Sequence, residues 1–220
     1  MRASYARVPR HVRLSIYTVA AALVLVVAAC APKAPGLNGT IAPNRLPPTG
    51  LPPVHQKIIF HWTYSDRDFR ATGDGAARIA PPDSVRIDLF VGGGLGGASA
   101  VLIDDDVRTA GDEQVRRYLP PVPLMWASLG RVVVPPAQDT TARANADTLR
   151  VDVGRDPRWR VTFVGDSLQR LELIDGDRIR QWMARQGQHV HYQQIQARRS
   201  LDLTITRVDT VPAFDAVIWQ

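Results

Sequence analysis

Four groups of residues have the types and spacing that chemistry requires. Cys30 is the only thiol among 220 residues; it can carry a covalent modification but cannot form a disulfide within the chain or a cysteine-based metal site. His189 and His191 stand two apart, which on a strand puts both imidazoles on one face, with His61 as a third candidate ligand. No carboxylate or cysteine stands at a spacing that would complete a metal site. Gly92, Gly94 and Gly97 satisfy the dinucleotide spacing after a strand, yet Ala98 to Ile103 continues as a strand-like run. A phosphate there would lack its helix terminus, and no lysine follows to make a P-loop. Asp104-Asp105-Asp106 has the character of a solvated turn rather than of a calcium loop. No nucleophile elbow, zinc-protease motif or paired catalytic acid is evident. The expectation is a protein that is not an enzyme and has neither cofactor nor metal.

The elements that place Cys30 are the clearest. A basic stretch ending at Arg13 is followed by Ile16 to Ala29, in which only Tyr17 and Thr18 are polar, and then by Val27-Ala28-Ala29-Cys30. Basic region, short apolar run and small residues form the order of a secretory signal. The run is too short to span a bilayer comfortably, since that takes about 20 residues. Val27-Ala28-Ala29-Cys30 resembles the lipobox of bacterial lipoproteins, which implies lipid attachment at Cys30 and a membrane-tethered domain. Ala31 stands where the inner-membrane retention signal would have Asp, so the resemblance further implies the outer membrane, with the domain facing the periplasm. Residues 1–29 are thus expected to be a signal peptide and 30–55 the lipidated cysteine with a proline-rich tether that builds no core. The folded domain is expected over 56–220.

Charge excludes one class of partner. Of 27 basic residues, Arg2, Arg7, Arg10 and Arg13 fall in the signal, leaving 23 basic against 21 acidic from Cys30 onward. The remaining arginines are interleaved with aspartates and lack clustered aromatics, so no nucleic-acid footprint is present.

The folded part has a period of two. Ile58, Phe60, Trp62 and Tyr64 alternate with more polar neighbours, as do Val85 to Val91, Trp159 to Phe163, Leu201 to Ile205, and Phe214 to Ile218 at the end of the chain. Turn signals fall at Gly73-Asp74-Gly75, Gly92 to Gly97, Asp104 to Asp106, Gly165-Asp166, Asp175 to Asp177 and Gly187. The pattern predicts a mainly β (α+β) chain: a long antiparallel meander of roughly ten or eleven strands. Such a meander must curl to hide its apolar face. Short helices over Asp112–Tyr118 and Leu124–Leu129 would cover the opening. The segment from Pro135 to Asp147 is open between loop and helix.

Several segments resemble the LolA/LolB superfamily, the periplasmic carrier and outer-membrane receptor of bacterial lipoproteins, and lipidation brings the chain closer to LolB. They are Val85-Arg86-Ile87-Asp88-Leu89-Phe90-Val91 with Gly94-Leu95-Gly96, then Pro123 to Gly130, then Gly187 to Tyr192, Arg198 to Leu201 and Ile218-Trp219. Gly94 stands where that family usually has proline. The resemblance implies an incomplete barrel, apolar inside and lidded by helices, that takes acyl chains or lipoproteins, receives them from a soluble periplasmic carrier and acts as a monomer. Residues suited to line its cavity are Phe60, Trp62, Ile87, Leu89, Trp159, Phe163, Leu171, Leu173, Tyr192, Leu203 and Ile205, with Leu124, Trp126 and Leu129 from the lid. Each of these residues is first of all a core residue, and the alternatives are a structural or protein-binding lipoprotein with a filled barrel, or a binder of another lipid. A measured void separates the two. Leu95 is the only large apolar residue among six positions otherwise all glycine, and so should project from a hairpin tip. By resemblance it would press cargo towards the membrane; the alternative is a leucine folded back onto the lid.

The lipobox generates the first prediction. Cys30→Ala should abolish incorporation of radiolabelled fatty acid and leave an uncleaved or unanchored chain; continued labelling would defeat lipid attachment.

Overall fold

In the computed structural model, which describes residues 31–94, 96–109 and 116–219, the alternating segments form a single open sheet of thirteen antiparallel strands. The strands are β1 (Thr40–Ile41), β2 (Gln56–Ser65), β3 (Arg70–Ala80), β4 (Ser84–Val91), β5 (Gly97–Ile103), β6 (Asp106–Thr109) and β7 (Thr140–Asn145). They continue as β8 (Thr148–Val153), β9 (Arg158–Val164), β10 (Ser167–Asp175), β11 (Arg178–Gln186), β12 (His189–Gln194) and β13 (Arg199–Thr210). One short helix, α1 (Val122–Ser128), is described between the halves. The order across the sheet is β1-β7-β8-β9-β10-β11-β12-β13-β2-β3-β4-β5-β6. The incomplete barrel is therefore two meanders, β2–β6 and β7–β13, joined by a seam between the last strand and β2.

Several local readings are corrected. Gly73 and Gly75 are not a turn; they lie inside β3, opposite Trp62 and Phe60 of β2. A Cβ on Gly75 would meet the Phe60 ring at 2.3 Å, and one on Gly73 would meet the Phe90 carbonyl oxygen at 1.9 Å and Trp62 at 2.9 Å. The glycines let aromatic rings and backbone approach closely within a strand. The open segment from Pro135 supplies β7, paired with β1 and β8. Phe214 to Ile218 is not a closing strand. Both sides of β13 are already paired, and Ala216–Trp219 forms a 3-10 turn, with Arg86 donating to the Ile218 carbonyl at 3.0 Å.

Part of the proline-rich stretch does reach the core, contrary to its composition. Ala34 is buried with Ile174 and Ile179, and Leu46 packs against Val151 and Val153. Side chains capture backbone there: Asn44 accepts from the Ala142 amide and Thr49 from the Val132 amide. The signal segment, Cys30, Leu95 and Asp112 to Val115 of the first expected helix lie outside the described residues.

On the outer face of β8–β10, Arg160 is only 2% exposed. Asp152 receives its Nε and Nη2 at 2.7 and 2.8 Å, and the Pro35 carbonyl receives Nη1. This ion pair holds the segment before β1 against the sheet. Breaking a buried pair leaves an uncompensated charge. Asp152→Asn should therefore destabilise the chain by about 3 kcal/mol, read as a lower urea midpoint; an unchanged midpoint would show that Arg160 relaxes to solvent.

Candidate functional site

The two meanders do not fill the barrel equally. Under β8–β10, Val161, Phe163, Leu168 and Leu171 are packed together with Leu124 and Ala127 of α1. Phe163 and Leu171 are fully buried. Under β2–β4 and β11–β13 the packing opens into a cavity of about 240 Å³. Its wall is almost wholly carbon: Phe60, Ile58, Ala77, Ile79, Ile87 and Leu89 on one side, Met183, Val190, Tyr192, Leu201, Leu203 and Ile205 on the other. Leu119, Leu124, Met125 and Leu129 cover it, and Pro52 and Val208 stand at its edge. Ile79, Leu124 and Met183 are all but inaccessible, whereas Val208 is half-exposed. The space thus runs from a buried floor to an open edge.

Of the residues proposed from sequence, Phe60, Ile87, Leu89, Leu124, Leu129, Tyr192, Leu203 and Ile205 line this cavity. The other six do not. Trp62 faces inward, but its indole lies across Gly73 and donates to the Asp74 carbonyl at 2.9 Å. Trp126 is fully buried in the first core cluster. Phe163 and Leu171 fill the second cluster, with Trp159 packed against it. Leu173 is half-buried at a bulge between Leu173 and Ile174, where the inward alternation slips by one.

Sequence reasoning missed Ala77 and Ile79, whose strand was cut short by the glycine reading. It also missed Met183 and Arg185, because Gln181 and Arg185 take inward-alternating positions on β11 and mask the period. Three polar side chains reach the lining: Gln56, Ser128 and Arg185. Ser128 donates to the Met125 carbonyl at 2.7 Å. Burial pushes the Tyr192 phenol up to about 12, and its hydroxyl donates to Gln181 at 3.0 Å. Tyr192 is therefore neutral across the physiological range.

The histidines stand elsewhere, on the outer face. His61 pairs with Asp74, His191 with Asp202, and His189 meets the Thr204 hydroxyl at 3.2 Å. Among the described residues no three His, Cys, Asp or Glu side chains are grouped to hold a metal. Gly92–Gly94 forms a 3-10 turn that leads into β5.

No protein-family model matches the chain, and no curated protein matches it in sequence. One solved structure shares its fold, and two others are more distantly similar. A LolA superfamily protein from Nitrosomonas europaea is similar with a TM-score of 0.52 and 7% identity, over 78% of this chain and 92% of that one. An outer membrane lipoprotein-sorting protein domain from Vibrio parahaemolyticus follows at TM-score 0.46 and 4% identity, over 76% and 89%. A DUF1329 family protein from Desulfovibrio piger gives TM-score 0.41 and 7% identity, over 76% and 89%. The chain shares its fold, an open antiparallel sheet curled around an apolar space, with that LolA superfamily protein.

The cover depends on one anchor. Trp126 donates its indole N–H to the Asp104 carbonyl at 2.6 Å, and the Arg131 guanidinium stacks 4.5 Å from the indole. Trp126→Phe keeps the ring but strands a carbonyl. It should lower stability by about 1–3 kcal/mol and speed amide exchange in α1; unchanged exchange would mean that packing alone holds the helix.

Proposed function

We propose that the chain is a lipid-anchored outer-membrane protein, facing the periplasm, that takes acyl chains into its half-barrel during lipoprotein sorting. The observation that carries this reading is the void. An apolar core of this size has no folding reason to leave about 240 Å³ empty, because interiors pack to crystal density. An apolar cavity of about 150 Å³ already binds benzene. At roughly 30 Å³ per methylene-sized group, as for water, this one accepts about eight. Their transfer from water is worth about 6 kcal/mol, at ~0.8 kcal/mol each. Acyl chains need no directional partner, which suits a wall of this composition.

The fold shared with a LolA superfamily protein supports the same reading, and the lipobox at Cys30 supports a receptor of LolB type that accepts lipoproteins from a soluble periplasmic carrier. In that role the chain works as a monomer and without catalysis. The glycine loop carrying Leu95 follows Phe90, a large apolar side chain 55% exposed, and serves as the membrane-facing tip.

The test is uptake of a fluorescent fatty-acyl probe by unlipidated protein, with mass spectrometry of co-purified lipid. Leu203→Glu puts an unpaired carboxylate on the wall and should weaken uptake while circular dichroism shows a folded chain. Phe163→Glu, in the filled half, should instead unfold it. A folded Leu203→Glu chain with unaltered uptake would sink the cavity as an acyl site.

A further inference from the structure

The cavity wall carries one charge, and no described residue answers it. Among the described residues, Arg185 is the only ionisable one of the lining that carries charge at neutral pH, and no aspartate or glutamate reaches the wall. Five arginines on the outer face of the sheet are paired: Arg78 and Arg86 with Asp88, Arg158 and Arg160 with Asp152, Arg170 with Glu172. Arg185 has no hydrogen-bond or ion-pair partner among the described residues. Burial alone acts on its guanidinium, holding it below the usual arginine value; it nevertheless stays protonated at neutral pH.

Its position is specific. Arg185 is the last but one residue of β11, two places beyond the buried Met183 towards the turn at Gly187. It therefore sits at the outer end of the cavity on that strand, not on the floor. Nη1 lies against Gly130, just after α1, where a Cβ would stand 2.8 Å from it. A side chain at 130 would displace the guanidinium, so the glycine keeps its place beside the cover. A planar five-donor group with free donors, in an apolar surround, attracts an anion far more strongly than it would in water.

We infer that the cavity binds an anionic amphiphile, its alkyl chain along the apolar wall and its carboxylate or phosphate on Arg185 at the mouth. This deepens the acyl-binding reading and rests on it. A lipoprotein's diacylglyceryl group has no anion beside its chains, so the inference names a different ligand class: a free fatty acid, or a lipid whose phosphate lies close to its chain. Arg185 confers the head-group preference and the wall confers chain binding.

The experiment uses the full chain bearing Cys30→Ala, which removes the protein's own acyl groups from competition. Decanoate, decyl phosphate and decanol displace the neutral dye N-phenyl-1-naphthylamine. The expected result is that one or both anions displace the dye at concentrations at least about tenfold below decanol, the size of one charge-assisted hydrogen bond. Whether decanoate or decyl phosphate is tighter separates a fatty-acid from a phospholipid source. Arg185→Met should erase the preference and leave decanol within about twofold of the parent, with the thermal midpoint unchanged or raised, since a half-buried charge without a described partner is lost. Arg185→Lys should retain part of it. Equal displacement by all three ligands in the parent, or a parallel loss of all three in Arg185→Met, overturns the inference while leaving acyl binding standing. No displacement by any of them defeats the acyl reading itself, and this inference with it.

Discussion

The pairing of β13 with β2 is the constraint on which the rest of the structure depends. Without it the chain would be two open sheets, each with one apolar face in water. With it, Tyr64 stands opposite Leu201, Trp62 opposite Leu203 and Phe60 opposite Ile205, residues remote in sequence brought side by side on the inner face. The seam is also the back wall of the cavity. A register shift between Ile205 and Arg207 changes the alternation by one residue, which is why Ile205 and Val208, three apart, both line the space. Such a long-range contact closes late and slowly on topological grounds, so the cavity forms only when the whole domain does.

The half-filled interior follows from side-chain volume on either side of that seam. β3 presents Gly73, Gly75 and Ala77 to the inside, and the rings of Trp62 and Phe60 settle onto its two glycines. β9 presents Val161 and Phe163, which meet Leu171 and Leu168 of the next strand. Equal strand spacing with unequal side-chain volume leaves space around the seam, under β2–β4 and β11–β13, and none under β8–β10. The helix is shared between the two sides: Trp126 and Met125 belong to the first cluster, Leu124 and Ala127 to the second. One seven-residue element thus covers the hollow half and is held on both sides, by Trp126 in one cluster and by Leu124 and Ala127 in the other.

The fold was legible where polar and apolar residues alternate without interruption. β2, β4, β9 and the first half of β13 follow directly from Phe60-Trp62-Tyr64, Ile87-Leu89, Trp159-Val161-Phe163 and Leu201-Leu203-Ile205. Thirteen strands rather than ten or eleven reflect strands whose period is masked: β3 by its glycines and β7 by Thr140 to Asn145, which has no apolar stripe. The seam was not legible, because local pattern carries no information about which distant edges pair. For the same reason an inward alternation identified core and cavity residues together. Phe163 and Phe60 are indistinguishable in sequence, and only the volume of what lies opposite sorts them.

Charge placement shows the same dependence on face. From Cys30 onward 23 basic and 21 acidic residues nearly cancel, and on the outer face of β8–β10 several are paired locally. Across one register row, Asp152, Arg160 and Glu172 lie on three adjacent strands, and Arg170 stacks 3.9 Å from Trp182 beside them. Those arginines fasten strands and the segment from Lys33 to Pro35, where Lys33 meets Asp177 at 3.3 Å. Exposed pairs of this kind are screened and worth little singly, whereas the buried Asp152–Arg160 pair fixes geometry. An arginine turned the other way has no such use. Inside the half-barrel no described acidic side chain meets Arg185. A folded chain that solves the burial of Arg160 with two oxygens of one carboxylate, yet leaves Arg185 facing an empty apolar space, has left room for the missing oxygens to come from a ligand.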